Sequence, residues 1–113
     1  MSEALDRLIE AVGRGDDTAV QSIAKGISSA AIDEGRYWPS HDAMKAYRGS
    51  LDAAVALKDA LLPADWIAEV DTAGFAMVYQ DEMELTKTAS ALLPGLPARA
   101  LLLAILRAAQ REA

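Results

Sequence analysis

Between Ala98 and Gln110 the only charged residues are Arg99 and Arg107, while Leu101, Leu102, Leu103, Ile105 and Leu106 crowd into the middle of the same span. Pro97 suits the first helical position, where the N–H that proline lacks is not needed. A helix over Pro97–Ala109 is apolar on more than one face, and each large side chain left in water would forgo roughly 1.5–3 kcal/mol. The fold must bury this helix and cover it from more than one direction. A chain of 113 residues has enough length for one core of ordinary size and too little for two, so a single domain spanning 1–113 is expected.

The first half of the chain reads as short helices. Leu5, Leu8, Ile9 and Val12 form one helical stripe behind Ser2, with Glu3, Asp6, Arg7 and Glu10 on the wet side, until Gly13 and Gly15 break the pattern. Asp16 or Asp17 caps a second helix that carries Val20, Ile23, Ala24 and Ile27 at the same spacing. That helix is expected to fray through Ser28 and Ser29 and to stop at Asp33-Glu34-Gly35, making residues 1–35 a helical hairpin. Trp38 precedes Pro39 and is therefore held extended. Ser40 is placed to cap a short helix through Tyr47. Ser50 caps a stronger helix, Leu51 to Leu62, with Leu51, Ala54, Val55, Leu61 and Leu62 on its inner side.

From Asp65 the period changes to two. Trp66, Ala68 and Val70 alternate with Ile67, Glu69 and Asp71, Thr72-Ala73-Gly74 gives a turn, and Phe75-Ala76-Met77-Val78-Tyr79 follows. This second strand is apolar on both alternating sets, as expected of a strand covered on two faces. Leu85–Ala89 has enough β-branched character for a third, edge strand. The predicted class is α+β and helix-rich, with a small antiparallel sheet of two to three strands packed between helices and a helical hairpin at the start. A composition that is 52% hydrophobic but 5% aromatic agrees, because Ala- and Leu-built cores suit close helix packing.

Charge and residue usage narrow the chemistry. The net charge is −6, and the 11 basic residues are scattered, so neither direct nucleic-acid binding nor attachment to an anionic membrane is expected. No cysteine is present, which excludes disulfides, thiolate catalysis and thiolate metal sites. The start carries acid where a signal peptide carries base, and no apolar run approaches the roughly 20 residues of a membrane span; a cytoplasmic location is the expectation, that of the host cell if the chain is phage-encoded.

Two stretches read together carry a resemblance. Ser50-Leu51-Asp52-Ala53-Ala54-Val55-Ala56-Leu57 with Leu61-Leu62-Pro63 and Trp66, followed by Pro97-Ala98-Arg99-Ala100-Leu101-Leu102-Leu103-Ala104, resembles the phage ABA sandwich domain. The resemblance covers about Ala46 to Ala109, so that residues 46–113 form the sandwich-like core and residues 1–35 an extension. It implies a small sheet between helical layers and an origin in phages or prophages. It supplies no catalytic residues.

Individual constellations add little chemistry. His41 is the only histidine and sits at a helix start. Asp81, Glu82 and Glu84 lack the ligand spacing and turn glycine of a calcium loop, and Gly13-Arg14-Gly15-Asp16 lacks the Gly-Lys-Ser/Thr ending of a phosphate loop. No catalytic residue, cofactor or metal is therefore assigned. The aromatic joint Tyr37, Trp38 and Tyr47 either closes one end of the core or binds a partner. Arg99 either rests its stem on the core, with its head in water or on an acid such as Glu69, or faces a ligand. The expected function is that of a non-catalytic phage or prophage accessory protein acting by protein–protein binding, possible sites being Tyr37, Trp38, Tyr47 and Arg99. A narrower version is an inhibitor of a host defence complex, on the strength of the acidic charge. The alternative is a homo-oligomeric structural or morphogenesis component, a homodimer through the apolar C-terminal helix.

Overall fold

The computed structural model describes residues 2–80 and 87–112. Along the chain run α1 (Ser2–Arg14), α2 (Asp17–Asp33), α3 (Ser40–Tyr47), α4 (Leu51–Leu61), β1 (Trp66–Val70), β2 (Phe75–Gln80), β3 (Thr88–Leu92) and α5 (Pro97–Glu112). The fold is α+β, with helices on a three-stranded antiparallel sheet of order β1-β2-β3.

The apolar helix lies in the middle. α5 packs on all three strands and also on α1, α3 and α4, which themselves make little or no contact with the sheet. Every residue from Ala100 to Leu106 is at most 3% exposed. The layers therefore run sheet, α5, then α1, α3 and α4, with α2 outermost against α1 and α3. This arrangement resolves the apolar excess of α5 inside one chain. A homodimer through the C-terminal helix loses its motive, since Leu101, Leu102, Leu103, Ile105 and Leu106 present no free surface. The helical hairpin is likewise no appendage, because Leu5, Leu8, Ala11 and Val12 belong to the same buried cluster as Ala76 and Val78.

Local chemistry explains most element ends. The Asp16 carboxylate accepts the Ala19 N–H at 3.1 Å and the Ser50 hydroxyl accepts the Ala53 N–H at 3.1 Å, capping α2 and α4 as expected. Ser40 departs from expectation, for Pro39 is the cap residue of α3 and no side chain caps it. α2 continues without a break through Ser28 and Ser29. In α4 the buried residues are Ala53, Ala54 and Leu57, whereas Leu51 and Val55 face outward. The inner side of α4 is built from alanines because it approaches α5 closely, and size alone would have favoured the other stripe.

The strand register fixes the two faces of the sheet. Val78 pairs with Ala68 on one side and Ala89 on the other, and Ala76 pairs with Val70 and Ala91; these residues lie under α5. β3 begins three residues later than the sequence suggests, while Leu85 and Thr86 lie outside the described residues. Its inward residues are both alanines, weak strand formers that give no propensity signal yet leave room for α5. Between β1 and β2 the Asp71 carboxylate accepts the N–H groups of Gly74 and Phe75, each at 3.1 Å. Gly74 has φ +104°, and a Cβ there would stand 2.0 Å from the Leu93 carbonyl oxygen, so only glycine fits.

Candidate functional site

The second face of β2 is not covered in the way its sequence suggests. Phe75, Met77 and Tyr79 point away from α5, and no helix among the described residues packs over them. Their cross-strand neighbours on that face are Ile67 and Glu69 from β1 and Thr88, Ser90 and Leu92 from β3. Phe75 and Leu92 form a directly opposed pair without mutual ladder bonds, the closer of the two antiparallel geometries. Ile67, Phe75 and Leu92 are 37%, 42% and 62% exposed, with Met77 and Tyr79 half-buried between them. The result is an apolar stripe across three strands. Its polar margin is Glu69, whose carboxylate accepts the Tyr79 hydroxyl at 2.6 Å, and Asp71 at the turn.

The sheet's edges are treated differently from its open face. The Gln80 N–H donates to the Lys87 carbonyl and the Leu93 N–H donates to the Gly74 carbonyl, a register that turns the backbone groups of Thr88 and Ser90 outward from β3. Arg107 donates to the Ser90 carbonyl at 2.6 Å and Arg111 donates to the Thr88 carbonyl. Spaced by one helical turn, the two guanidiniums match two edge carbonyls spaced by two strand residues. On β1 the Lys58 ammonium donates to the outward Trp66 carbonyl at 2.9 Å. Cations bound to edge carbonyls hinder a further strand from adding there.

The residues singled out from the sequence do not form one site. Trp38 and Tyr47 are 8% and 2% exposed, so neither ring can meet a partner. They also stand at opposite ends of α3, Trp38 just before it and Tyr47 as its last residue, roughly 12 Å apart along the helix. Tyr37 projects into solvent at 76% exposure. Arg99 joins Tyr47, its guanidinium carbon 3.8 Å from the ring centroid and its Nε donating to the Tyr47 carbonyl at 3.1 Å. Arg99 thus ties the start of α5 to the end of α3, and Glu69 is engaged by Tyr79 instead. A pocket of about 270 Å³ beside it is lined by Arg48, Gly49, Gly95 and Leu96.

Ile67, Met77 and Leu92 escaped the sequence reading as site residues. The signal is present in β2, where both alternating sets are apolar, but in sequence it reads equally as a strand with a second covering layer. Among the described residues no three His, Asp or Glu side chains converge as metal ligands; Asp81, Glu82 and Glu84 lie outside them. No helix of the described residues is long and apolar enough to cross a membrane. Set against protein-family models, curated proteins and solved structures, the chain matches none.

Proposed function

We propose that this chain is a non-catalytic protein-binding module that engages its partner through the open face of the sheet. One observation carries the reading: Ile67, Phe75 and Leu92 are exposed together on one face, with Met77 and Tyr79 completing the stripe. Contiguous apolar surface rimmed by polar groups is the mark of an interaction site, and aromatic side chains and methionine are over-represented in interface cores. The cation-blocked carbonyls at the edges favour docking on the face over strand addition.

A phage or prophage origin is supported by the resemblance of residues 50–66 and 97–104 to the phage ABA sandwich domain. The narrower role, inhibition of a host defence complex, draws on the net charge of −6, which suits a basic surface on the target. Self-association is the second reading, and it now rests on the open sheet face instead of α5.

The test compares the native chain with a Phe75→Arg/Leu92→Arg variant. Both are expressed with the same tag in host cells, and captured proteins are quantified. A partner retained by the native chain and lost from the variant is the expected result. Capture of the same proteins in the same amounts by both overturns the sheet-face reading. Concentration-dependent mass in light scattering, abolished in the variant, would establish self-association in its place.

A further inference from the structure

We propose that a basic track along α3 is a second docking site, one that receives an extended acidic segment of a partner protein. The track lies with α2 and α3, on the other side of α5 from the sheet, and does not depend on the sheet-face reading. It consists of two recesses joined at Arg48. One, between α2 and α3, has a volume of about 240 Å³ and is lined by Lys25, His41, Lys45 and Arg48 around Met44. The other, of about 270 Å³, continues past Arg48 to Leu96, Ala98 and Arg99 at the start of α5.

Helical spacing gathers the cations that look scattered along the chain. Gln21 and Lys25 stand one turn apart on α2, while His41 and Lys45, and Met44 and Arg48 beside them, repeat that spacing along α3. Lys25 and Lys45 are exposed, and among the described residues neither makes an ion pair. Arg48 meets one carboxylate, Asp17, at 3.6 Å, with both side chains more than half exposed. Such a contact contributes little and yields readily to a competing anion. Arg99 is held by neutral groups, the ring and the carbonyl of Tyr47, which leave its charge uncompensated.

The sign of the lining selects the occupant. Among the described residues no Asp or Glu lines either recess. Asp42, in the first turn of α3, stays outside the lining, and the first turn of α5 carries no acid. The chain has 17 acidic residues against 11 basic ones, so a surface of four cations without a carboxylate among them runs against its overall charge. Cations held together repel one another, and a bound anion relieves that cost.

Shape and hydrophobicity favour a peptide over a nucleic acid. α3 is roughly 12 Å long, the reach of about four residues of extended chain. Met44 is half-buried and Leu96 is 42% exposed, which gives each recess an apolar contact. Acidic residues interrupted by apolar ones match that pattern. Among the described residues no exposed aromatic ring lines the track for a base to stack on, Tyr47 being 2% exposed. The net charge of −6 also opposes the approach of a long phosphate chain.

The test titrates the isotope-labelled full chain with a short synthetic peptide of Asp and Glu interrupted by Leu. A matched peptide with Asn and Gln in place of the acids serves as control. Amide shifts are expected at Lys25, His41, Lys45, Arg48 and Ala98, with the neutral peptide binding at least about tenfold more weakly. Lys25→Glu and Lys45→Glu, at exposed positions without ion pairs, should leave thermal stability unchanged and each weaken the acidic peptide at least about fivefold. Arg7→Glu makes the same change in net charge on α1 and should alter binding less than about twofold, because salt screens the more distant charge. No saturable shift with the acidic peptide overturns the proposal, as do equal binding of the two peptides, equal weakening by Arg7→Glu and Lys45→Glu, or shifts centred on Phe75, Met77 and Leu92. Tighter binding of a single-stranded oligonucleotide at the same residues would assign the track to nucleic acid and overturn the acidic segment.

Discussion

α5 and β2 are the two segments whose sequences are apolar beyond the needs of one face, and the fold treats them in opposite ways. α5 is enclosed, with strands against one side and helices against the other. Among the described residues, β2 is enclosed on its Ala76–Val78 side only. The difference teaches that apolar excess has two outcomes, a middle layer or a surface for something else, and that the arrangement of the remaining elements decides which. Here α1, α3 and α4 stack on α5 and α2 on α1 and α3, which leaves none of the described helices for the far side of the sheet.

The sharpest way to break the comparison is to cut a side chain from the middle layer. Leu102→Ala removes a fully buried side chain and should cost about 2–5 kcal/mol, because the enclosing layers relax only partly into the cavity. Chemical denaturation with an unchanged denaturant slope measures it. A loss below about 1 kcal/mol would mean that α5 is not enclosed as described.

The polar attachments of α5 come next. Arg99→Ala removes both the stacking on Tyr47 and the bond to its carbonyl, and a loss of about 1–3 kcal/mol is expected. Arg99→Lys should recover part of it, since an ammonium keeps the charge but not the planar stacking. Full recovery by lysine would reduce the contact to simple charge. Arg107→Ala/Arg111→Ala is smaller in stability, about 1 kcal/mol or less for two exposed bonds. Its main consequence lies elsewhere: freeing the Ser90 and Thr88 carbonyls should raise association through the β3 edge, seen as concentration-dependent light scattering. An unchanged scattering profile would show that the arginines do not guard the edge.

How much of this was legible follows from the same contrast. The caps at Asp16 and Ser50, the period change at Asp65 and the turn at Gly74 are local, and local chemistry declares them in the sequence. The inner face of α4 was legible only in part: Ala54 and Leu62 are buried as expected, whereas Ala53 and Leu57 take the place of Leu51 and Val55 once α5 is near. The third strand was legible but not its extent, since its inward Ala89 and Ala91 suit helix clearance and carry no strand propensity that would mark Thr88–Leu92 as its span. Of the proposed site residues, Tyr37, Trp38, Tyr47 and Arg99 were individually conspicuous, yet two are core and one is a tether. The open face is assembled from three strands, and only the register shows which residues share it. Layer order is a property of the whole chain, and a doubly apolar strand reads identically whether or not a second layer exists.

The smallest expected effect tests the open face itself. Leu92 is 62% exposed, so Leu92→Ser should alter stability by no more than about 0.5 kcal/mol, as for an uncovered surface position. Ile67→Ser, on the opposite strand of the same face, should behave alike, and the pair should be additive to within a similar margin. Partner capture should fall in both variants even though the fold is unmoved. That separation of binding from stability is what distinguishes β2's outer face from α5, where no large apolar side chain can be altered for one without the other. A loss near 2 kcal/mol at Leu92 would mean that this side chain is covered in solution after all. The sheet would then be enclosed on both faces, as the sequence of β2 alone suggests, and the face would no longer be available to a partner.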